Sequence, residues 1–173
     1  MSEEVNTPNL ILRSWQESDA DVLYELCQDE AFGHSGLWAY PSPDACREAI
    51  ARMKAEPGSR AIVSRENGKV IGLIGLADMN RYDGYMELEY AVEKNCRGRG
   101  YASEAVRCMV DYGFGELGLL VIAAWVRSHN QASCRVLEKC GFTFEGRLRK
   151  HARDGSDTLC YSILREEWEK KTL

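Results

Sequence analysis

Two carboxylates, a pair of glycines and one serine are the residues of this chain whose types and spacing suit chemistry. Glu87 and Glu89 stand two apart in Tyr85-Met86-Glu87-Leu88-Glu89-Tyr90-Ala91-Val92. Met86, Leu88, Tyr90 and Val92 alternate with Tyr85, Glu87, Glu89 and Ala91, and that period of two predicts a strand. Both acids then share one face, roughly 7 Å apart at strand rise. Two acids on one face of an interior strand are unusual unless cations pair with them or the face lines a cleft. Arg or Lys partners from a covering helix are one resolution. The other is a cleft in which one of the two serves as a general base.

The glycines follow at once, in Asn95-Cys96-Arg97-Gly98-Arg99-Gly100. Apolar residues then recur at Ala102, Ala105, Val106, Met109, Val110, Gly113, Phe114 and Leu117, the spacing of a helix with one buried stripe. A strand, a glycine-rich turn and a helix start make an anion site. The first N–H groups of a helix lack internal partners, and its dipole adds partial positive charge. Glycine lets the backbone approach a phosphate closely, and Arg97 and Arg99 add full charges. A solvated turn has the same composition, so the loop alone leaves both open. Gly98-x-Gly100 also opens a dinucleotide fingerprint, but Ser103 replaces its third glycine and no acid follows at the right place. Ser133 stands three residues after Asn130, at the start of a helix predicted over Gln131–Cys140. That helix has the stripe Ser133, Val136, Leu137 and Cys140, and Gly141 is its left-handed cap. A hydroxyl there either bonds the local backbone or serves a ligand.

The elements that must position these residues read in order β-α-α-β-β-β-α-β-α-β-β. Asn9–Trp15 is a first strand. Ser18-Asp19-Ala20-Asp21 predicts a capping box ahead of the stripe Val22, Leu23, Leu26 and Cys27. Phe32–Pro41, with His34, reads as a loop. Ser42-Pro43 opens a helix with stripe Cys46, Ala49, Ile50 and Met53, ended by Pro57-Gly58. Arg60–Arg65 and Val70–Ala77 form a hairpin about Asn67-Gly68. Leu119–Val126 is a continuous apolar run after a helix, which predicts a buried strand in parallel pairing. Phe142–Leu148 and Thr158–Leu164 are a last hairpin turning at Asp154-Gly155. The fold class is α/β, a mixed sheet with helices on both faces, and 173 residues without a linker fit one domain, residues 1–173.

Composition narrows the function. Apolar residues make up 45% and charged residues 28%, ordinary for a globular chain, and the net charge of -5 argues against a general nucleic-acid partner. Seven cysteines, an odd number with no CxxC, read as reduced thiols in a reducing compartment. His34, His129 and His151 pair with no cysteine at ligand spacing, so no metal is expected. No cysteine–histidine couple suggests a nucleophilic thiol. The N-terminus has no apolar signal core, and no apolar run reaches the roughly 18 residues of a membrane span, so a soluble, cytoplasmic protein is expected.

Asn95-Cys96-Arg97-Gly98-Arg99-Gly100-Tyr101-Ala102 resembles the acetyl-CoA pyrophosphate loop of the GNAT N-acetyltransferases, usually Gln/Arg-x-x-Gly-x-Gly/Ala, with Asn95 departing from the usual Gln or Arg. Asn130-Gln131-Ala132-Ser133 and Leu137-Glu138-Lys139-Cys140-Gly141-Phe142 resemble the N-x-x-S…EK-x-GF segment of the ribosomal-protein N-terminal acetyltransferase branch. Leu10-Ile11-Leu12-Arg13 followed by Asp19-Ala20 is a common opening there. The resemblance covers about Asn9 to Trp168.

It implies a mostly antiparallel sheet splayed between its fourth and fifth strands, Tyr85–Val92 and Leu119–Val126. It implies acetyl-CoA as cosubstrate, its pantetheine arm on backbone groups of Tyr90, Ala91 and Val92, with the Val92 N–H as oxyanion donor. Arg97, Gly98, Arg99, Gly100, Tyr101 and Ala102 would carry the phosphates. Asn130 is a helix cap, a pantetheine contact or both. Ser133 would lie near the sulfur and donate to the leaving thiolate. Glu87 matches the strand-four glutamate used as base in several relatives, with Glu89 as the second candidate. The amine would attack acetyl-CoA directly. The acceptor is a protein N-terminal α-amine or a small amine such as a polyamine, amino acid or antibiotic, and the protein a monomer or homodimer. A non-catalytic acetyl-CoA-binding module is the alternative on the same fold.

Overall fold

In the computed structural model, residues 4–29, 32, 40–55 and 58–172 are described. The strands are β1 (Glu4–Asn6), β2 (Leu10–Arg13), β3 (Arg60–Ser64), β4 (Val70–Ala77), β5 (Tyr85–Val92), β6 (Val121–Arg127), β7 (Thr143–Leu148) and β8 (Thr158–Leu164). The helices are α1 (Ala20–Cys27), α2 (Pro43–Ala55), α3 (Tyr101–Gly115), α4 (Gln131–Lys139) and α5 (Arg165–Thr172), with 3-10 turns at Glu17–Asp19 and Lys94–Cys96. The strands pair in the order β1-β2-β3-β4-β5-β6-β8-β7. β5 and β6 pair in parallel over Tyr85–Glu87 and Val121–Ala123, as the apolar run after α3 predicts. β6 with β8, β7 with β8, and the β1–β2, β2–β3 and β3–β4 pairs are antiparallel.

Two elements were not anticipated. β1 is three residues long with a single apolar side chain, too short to show a period, and it makes the acid-bearing strand fifth rather than fourth. α5 is charged nearly all round, so it carries no stripe for a sequence pattern to reveal. Specific bonds hold it instead. Arg165 donates to the Phe114 carbonyl (2.5 Å) and the Leu119 carbonyl (2.7 Å), and Trp168 Nε1 donates to Asp111 (2.7 Å).

The capping box expected over Ser18–Asp21 lies elsewhere. The Asp19 carboxylate accepts the Gln16 N–H at 2.9 Å and both terminal nitrogens of Arg13 at 2.7 and 2.9 Å. Asp19 is buried, so its charge is satisfied by the half-buried Arg13 beside it rather than by the next helical turn. His34, most of the segment Phe32–Pro41, and Pro57 lie outside the described residues.

The chain forms two compact units: Met1–Gly75 with Tyr90–Ala105, and Leu76–Glu89 with Val106–Leu173. In the first, Trp15, Leu23, Leu26, Phe32 and Leu73 share one core with Cys46, Ala49, Ile50 and Met53, the predicted stripe of α2. A Cβ on Gly72 would meet the Ala91 carbonyl oxygen at 2.3 Å, so this glycine permits a close backbone approach to the end of β5. Glu104, in the first turn of α3, accepts from Thr7 Oγ1 (2.5 Å), Asn9 N–H (2.8 Å) and Asn9 Nδ2 (2.9 Å). Burial raises its pKa, but these hydrogen bonds outweigh that and leave it lowered. The start of the glycine-loop helix is thereby fastened to the residues leading into β2.

In the second unit Leu88, Met109, Phe114, Ile122, Ala124, Leu137, Tyr161 and Ile163 are buried. A Cβ on Gly113 would crowd Ile122 at 2.8 Å and Leu76 and Leu119 at 3.1 Å, which explains a glycine inside α3.

Candidate active site

Glu87 is the buried acid of β5, 9% exposed, and its Oε1 has no hydrogen-bond partner among the described residues. Its register partner is Ala123, which in turn faces Ser162 on β8, so these three share one face of the second unit's strands. Tyr85, Trp125 and Cys160 lie two residues from them and belong to the same face. Burial raises the Glu87 pKa, and the charge of Arg81 offsets part of the rise. Burial likewise raises the Tyr85 phenol and the Cys160 thiol, each pushed further by the Glu87 charge.

The cation near Glu87 does not come from a covering helix. It comes from the segment joining β4 to β5, where the Arg81 guanidinium carbon sits 5.4 Å from the Tyr85 ring centroid and 5.3 Å from that of Trp125. Glu89 is half-buried and has an interaction of its own, so the two acids are not equivalent.

The glycine loop belongs to the first unit. Gly98 has φ 78° and Gly100 φ 85°, both in the left-handed region that favours glycine. A Cβ at either would meet nothing within 4 Å, so the loop has open space at both. Tyr101 opens α3, and Glu104 N–H bonds back to the Gly100 carbonyl at 3.0 Å.

The two arginines play different parts. Arg97 Nε donates to the Val92 carbonyl at 2.8 Å and its terminal nitrogen pairs with Asp29 at 2.8 Å, which fastens the loop to the end of β5 and to the residues after α1. Arg99 is exposed, with Glu66 3.9 Å away, so its charge faces solvent. Tyr90, Ala91, Tyr101 and Ala102 are half-buried and Val92 is buried. The loop thus offers an anion the N–H groups around Gly98, Gly100 and the start of α3, with Arg99 as the accessible charge. Two open left-handed glycines before a helix start suit a pyrophosphate.

Asn130 is the cap of α4, its Oδ1 accepting the Ser133 N–H at 3.1 Å. Gly141 has φ 92° and closes that helix as predicted, with Phe142 N–H on the Leu137 carbonyl at 3.0 Å. The buried line of α4 is Cys134 and Leu137, whereas Ser133, Val136 and Cys140 are only half-buried. The stripe therefore runs one residue away from the predicted one at the helix start, and Ser133 stays partly accessible.

Sequence reasoning missed Arg81, Asp29 and Glu104. Arg81 lies in a turn between Asn80 (φ 50°) and Gly84 (φ 86°), where no periodicity assigns a direction. Asp29 and Glu104 act on residues 68 and up to 97 positions away, which local spacing does not encode. All seven cysteines are free, and among the described residues no helix is long and apolar enough to cross a membrane.

Several known proteins are similar to this chain, most of them over nearly its whole length. The uncharacterized N-acetyltransferase p20 of Bacillus licheniformis is 30% identical over 96% of this chain and 98% of its own. The "Putative ribosomal N-acetyltransferase YdaF" of Bacillus subtilis is 29% identical over 93% of this chain and 94% of its own. The spermidine N(1)-acetyltransferase of Escherichia coli is 28% identical over 54% of this chain and 50% of its own. Among solved structures, a GNAT-family acetyltransferase from Bacillus anthracis superposes with a TM-score of 0.84 at 23% identity, covering 94% of this chain and 99% of its own. The spermidine N-acetyltransferase of Vibrio cholerae, in complex with CoA and spermine, does so at 0.82 with 22% identity, covering 94% and 99%. A family profile described as an acetyltransferase (GNAT) domain matches residues 9–143, so the chain is an N-acetyltransferase of the GNAT family.

Proposed function

We propose that this enzyme uses acetyl-CoA to acetylate a primary amine by direct attack, with Glu87 as the base. The observation that carries the proposal is the Glu87 carboxyl: buried, with an oxygen that has no hydrogen-bond partner among the described residues, and with its pKa raised by that burial. A base of raised pKa holds a proton taken from an ammonium more readily than an ordinary glutamate does. Bound acetyl-CoA supplies an activated acetyl thioester. The N–H groups about Gly98, Gly100, Tyr101 and Ala102, with Arg99, hold its phosphates, and backbone groups of Tyr90, Ala91 and Val92 hold the pantetheine arm. The Val92 N–H stabilises negative charge on the carbonyl oxygen. The ammonium proton passes to Glu87, the neutral amine attacks and the C–N bond forms as the C–S bond breaks, and the second N–H proton goes to the departing thiolate, which a hydrogen bond from Ser133 stabilises.

A small cationic amine is favoured as acceptor, because an acid between two aromatic rings suits an ammonium. A protein N-terminus is the second candidate, supported by the Asn130–Ser133 and Leu137–Phe142 motifs. Release of CoA thiol, followed against a panel of diamines, amino acids and short peptides, tests both. Turnover of the diamines above the peptides is expected. The reverse order makes a protein N-terminus the acceptor, and no release with any of them puts the acceptor outside these three classes.

A further inference from the structure

Tyr85 pairs with Val121 and Glu87 with Ala123, while Trp125 lies two residues beyond Ala123 on the same face. Tyr85 and Trp125 therefore stand on opposite sides of Glu87 along the strand direction. Arg81 lies within about 5.4 Å of both ring centroids, on the face that carries Glu87, and its charge acts on that carboxyl. His151 packs edge-on against Trp125, with centroids 5.1 Å apart, and its Nδ1 is 3.1 Å from Thr158 Oγ1. Tyr82 packs against Tyr85 at 5.3 Å. Each ring of the pair is thus braced by a second one, and two braced rings over a buried carboxyl form a cage for a cation.

The cation in that cage comes from an exposed side chain on an irregular turn, and exposed cation–π contacts are weak enough to exchange. We propose that Arg81 is a built-in occupant of the acceptor's ammonium site, and that a primary alkylammonium binds by displacing it from between Tyr85 and Trp125. Arg81 then sets specificity in two ways. It keeps a positive charge over Glu87 while no acceptor is bound, and it lowers the affinity of every cationic acceptor by the fraction of time it fills the cage. This rests on the proposal that the enzyme acetylates an amine beside Glu87.

The test is calorimetric titration of the CoA-bound protein with 1,4-diaminobutane, which reads binding without turnover. Arg81→Ala should bind the diamine about tenfold more tightly than the parent protein, the scale of one displaced cation–π pair. Arg81→Ala combined with Trp125→Leu should lose most of that gain, and equal melting temperatures would show that both variants fold. Unchanged, weaker or undetectable binding by Arg81→Ala, or a gain that survives loss of Trp125, overturns the proposal. Parallel CoA-release assays separate the two ideas. Tight binding by Arg81→Ala without any acetyl transfer keeps the cage and removes the diamine as acetyl acceptor beside Glu87, while transfer with unimproved binding does the opposite.

Discussion

The glycine loop and the face around Glu87 solve opposite problems with opposite materials. At the loop the chain strips side chains away: two left-handed glycines open space, and Arg97 turns its guanidinium onto the Val92 carbonyl and Asp29. What remains for a ligand is mainly backbone N–H. At Glu87 the backbone is engaged in strand pairing, and what remains is one carboxyl oxygen in a buried position. The difference teaches where substitutions will act. A backbone site is damaged by adding atoms, a side-chain site by changing one functional group.

Changing the functional group should have the largest effect. Glu87→Gln keeps the shape and removes the basicity, so kcat/KM at neutral pH should fall by roughly 10²-fold or more. In the parent enzyme kcat/KM should rise with pH to a plateau. The apparent pKa belongs to base and amine together, and the acid limb lies above that of an ordinary glutamate because burial raises Glu87. The deficit of the variant should shrink at high pH, where the amine arrives neutral. Glu89→Gln should cost less. Near-normal rates for Glu87→Gln across pH, with failure of Glu89→Gln, would move the base two residues along β5.

Adding atoms to the loop comes next. Gly100→Val places a branched side chain at φ 85° and into the open space, so acetyl-CoA affinity should drop at least tenfold, roughly 1.4 kcal/mol, by calorimetry on folded protein. Unchanged affinity would mean the phosphates lie elsewhere. Ser133→Ala should have a smaller effect, a several-fold loss in kcat with little change in the acetyl-CoA KM, because the proposed hydrogen bond strengthens only as thiolate forms. A change confined to KM would make Ser133 a binding residue and align it with the loop rather than with Glu87.

The same contrast explains what the sequence made legible. The loop could be read directly, since Gly98 and Gly100 between a period-two run and a three-to-four run encode its backbone. The α2 stripe, the Gly141 cap and the parallel pairing of β6 follow from patterns within a few residues. The acid face could be read only in part. Alternation put Glu87 and Glu89 on one face, but which of them is buried depends on β6 and β8, contributed from 36 or more positions downstream in the Glu87–Ala123 and Ala123–Ser162 pairs. Arg81 was invisible because a turn has no period, and α5 because a helix polar all round has no stripe.

The smallest expected effect is on stability, and it distinguishes the two regions most cleanly. Glu87 has a native pKa above its unfolded value. Below the unfolded value both states are protonated and the group costs nothing. As pH rises through the window between the ordinary glutamate pKa, near about 4.3, and the higher native one, the unfolded chain gives up its proton first and the native state loses stability. Above that window the loss is constant. Glutamine imitates the protonated form and carries no charge at any pH, so Glu87→Gln should melt a few degrees higher than the parent at pH 7, with the gap closing toward pH 4. Gly100→Val strains a left-handed position whatever the pH, so its loss of stability should be the same at both. Thermal unfolding of the three proteins at pH 4 and pH 7 reads this directly. A parent that melts higher than Glu87→Gln at pH 7 would mean that a cation fully compensates Glu87 in solution, and burial would then leave the base no raised pKa to use.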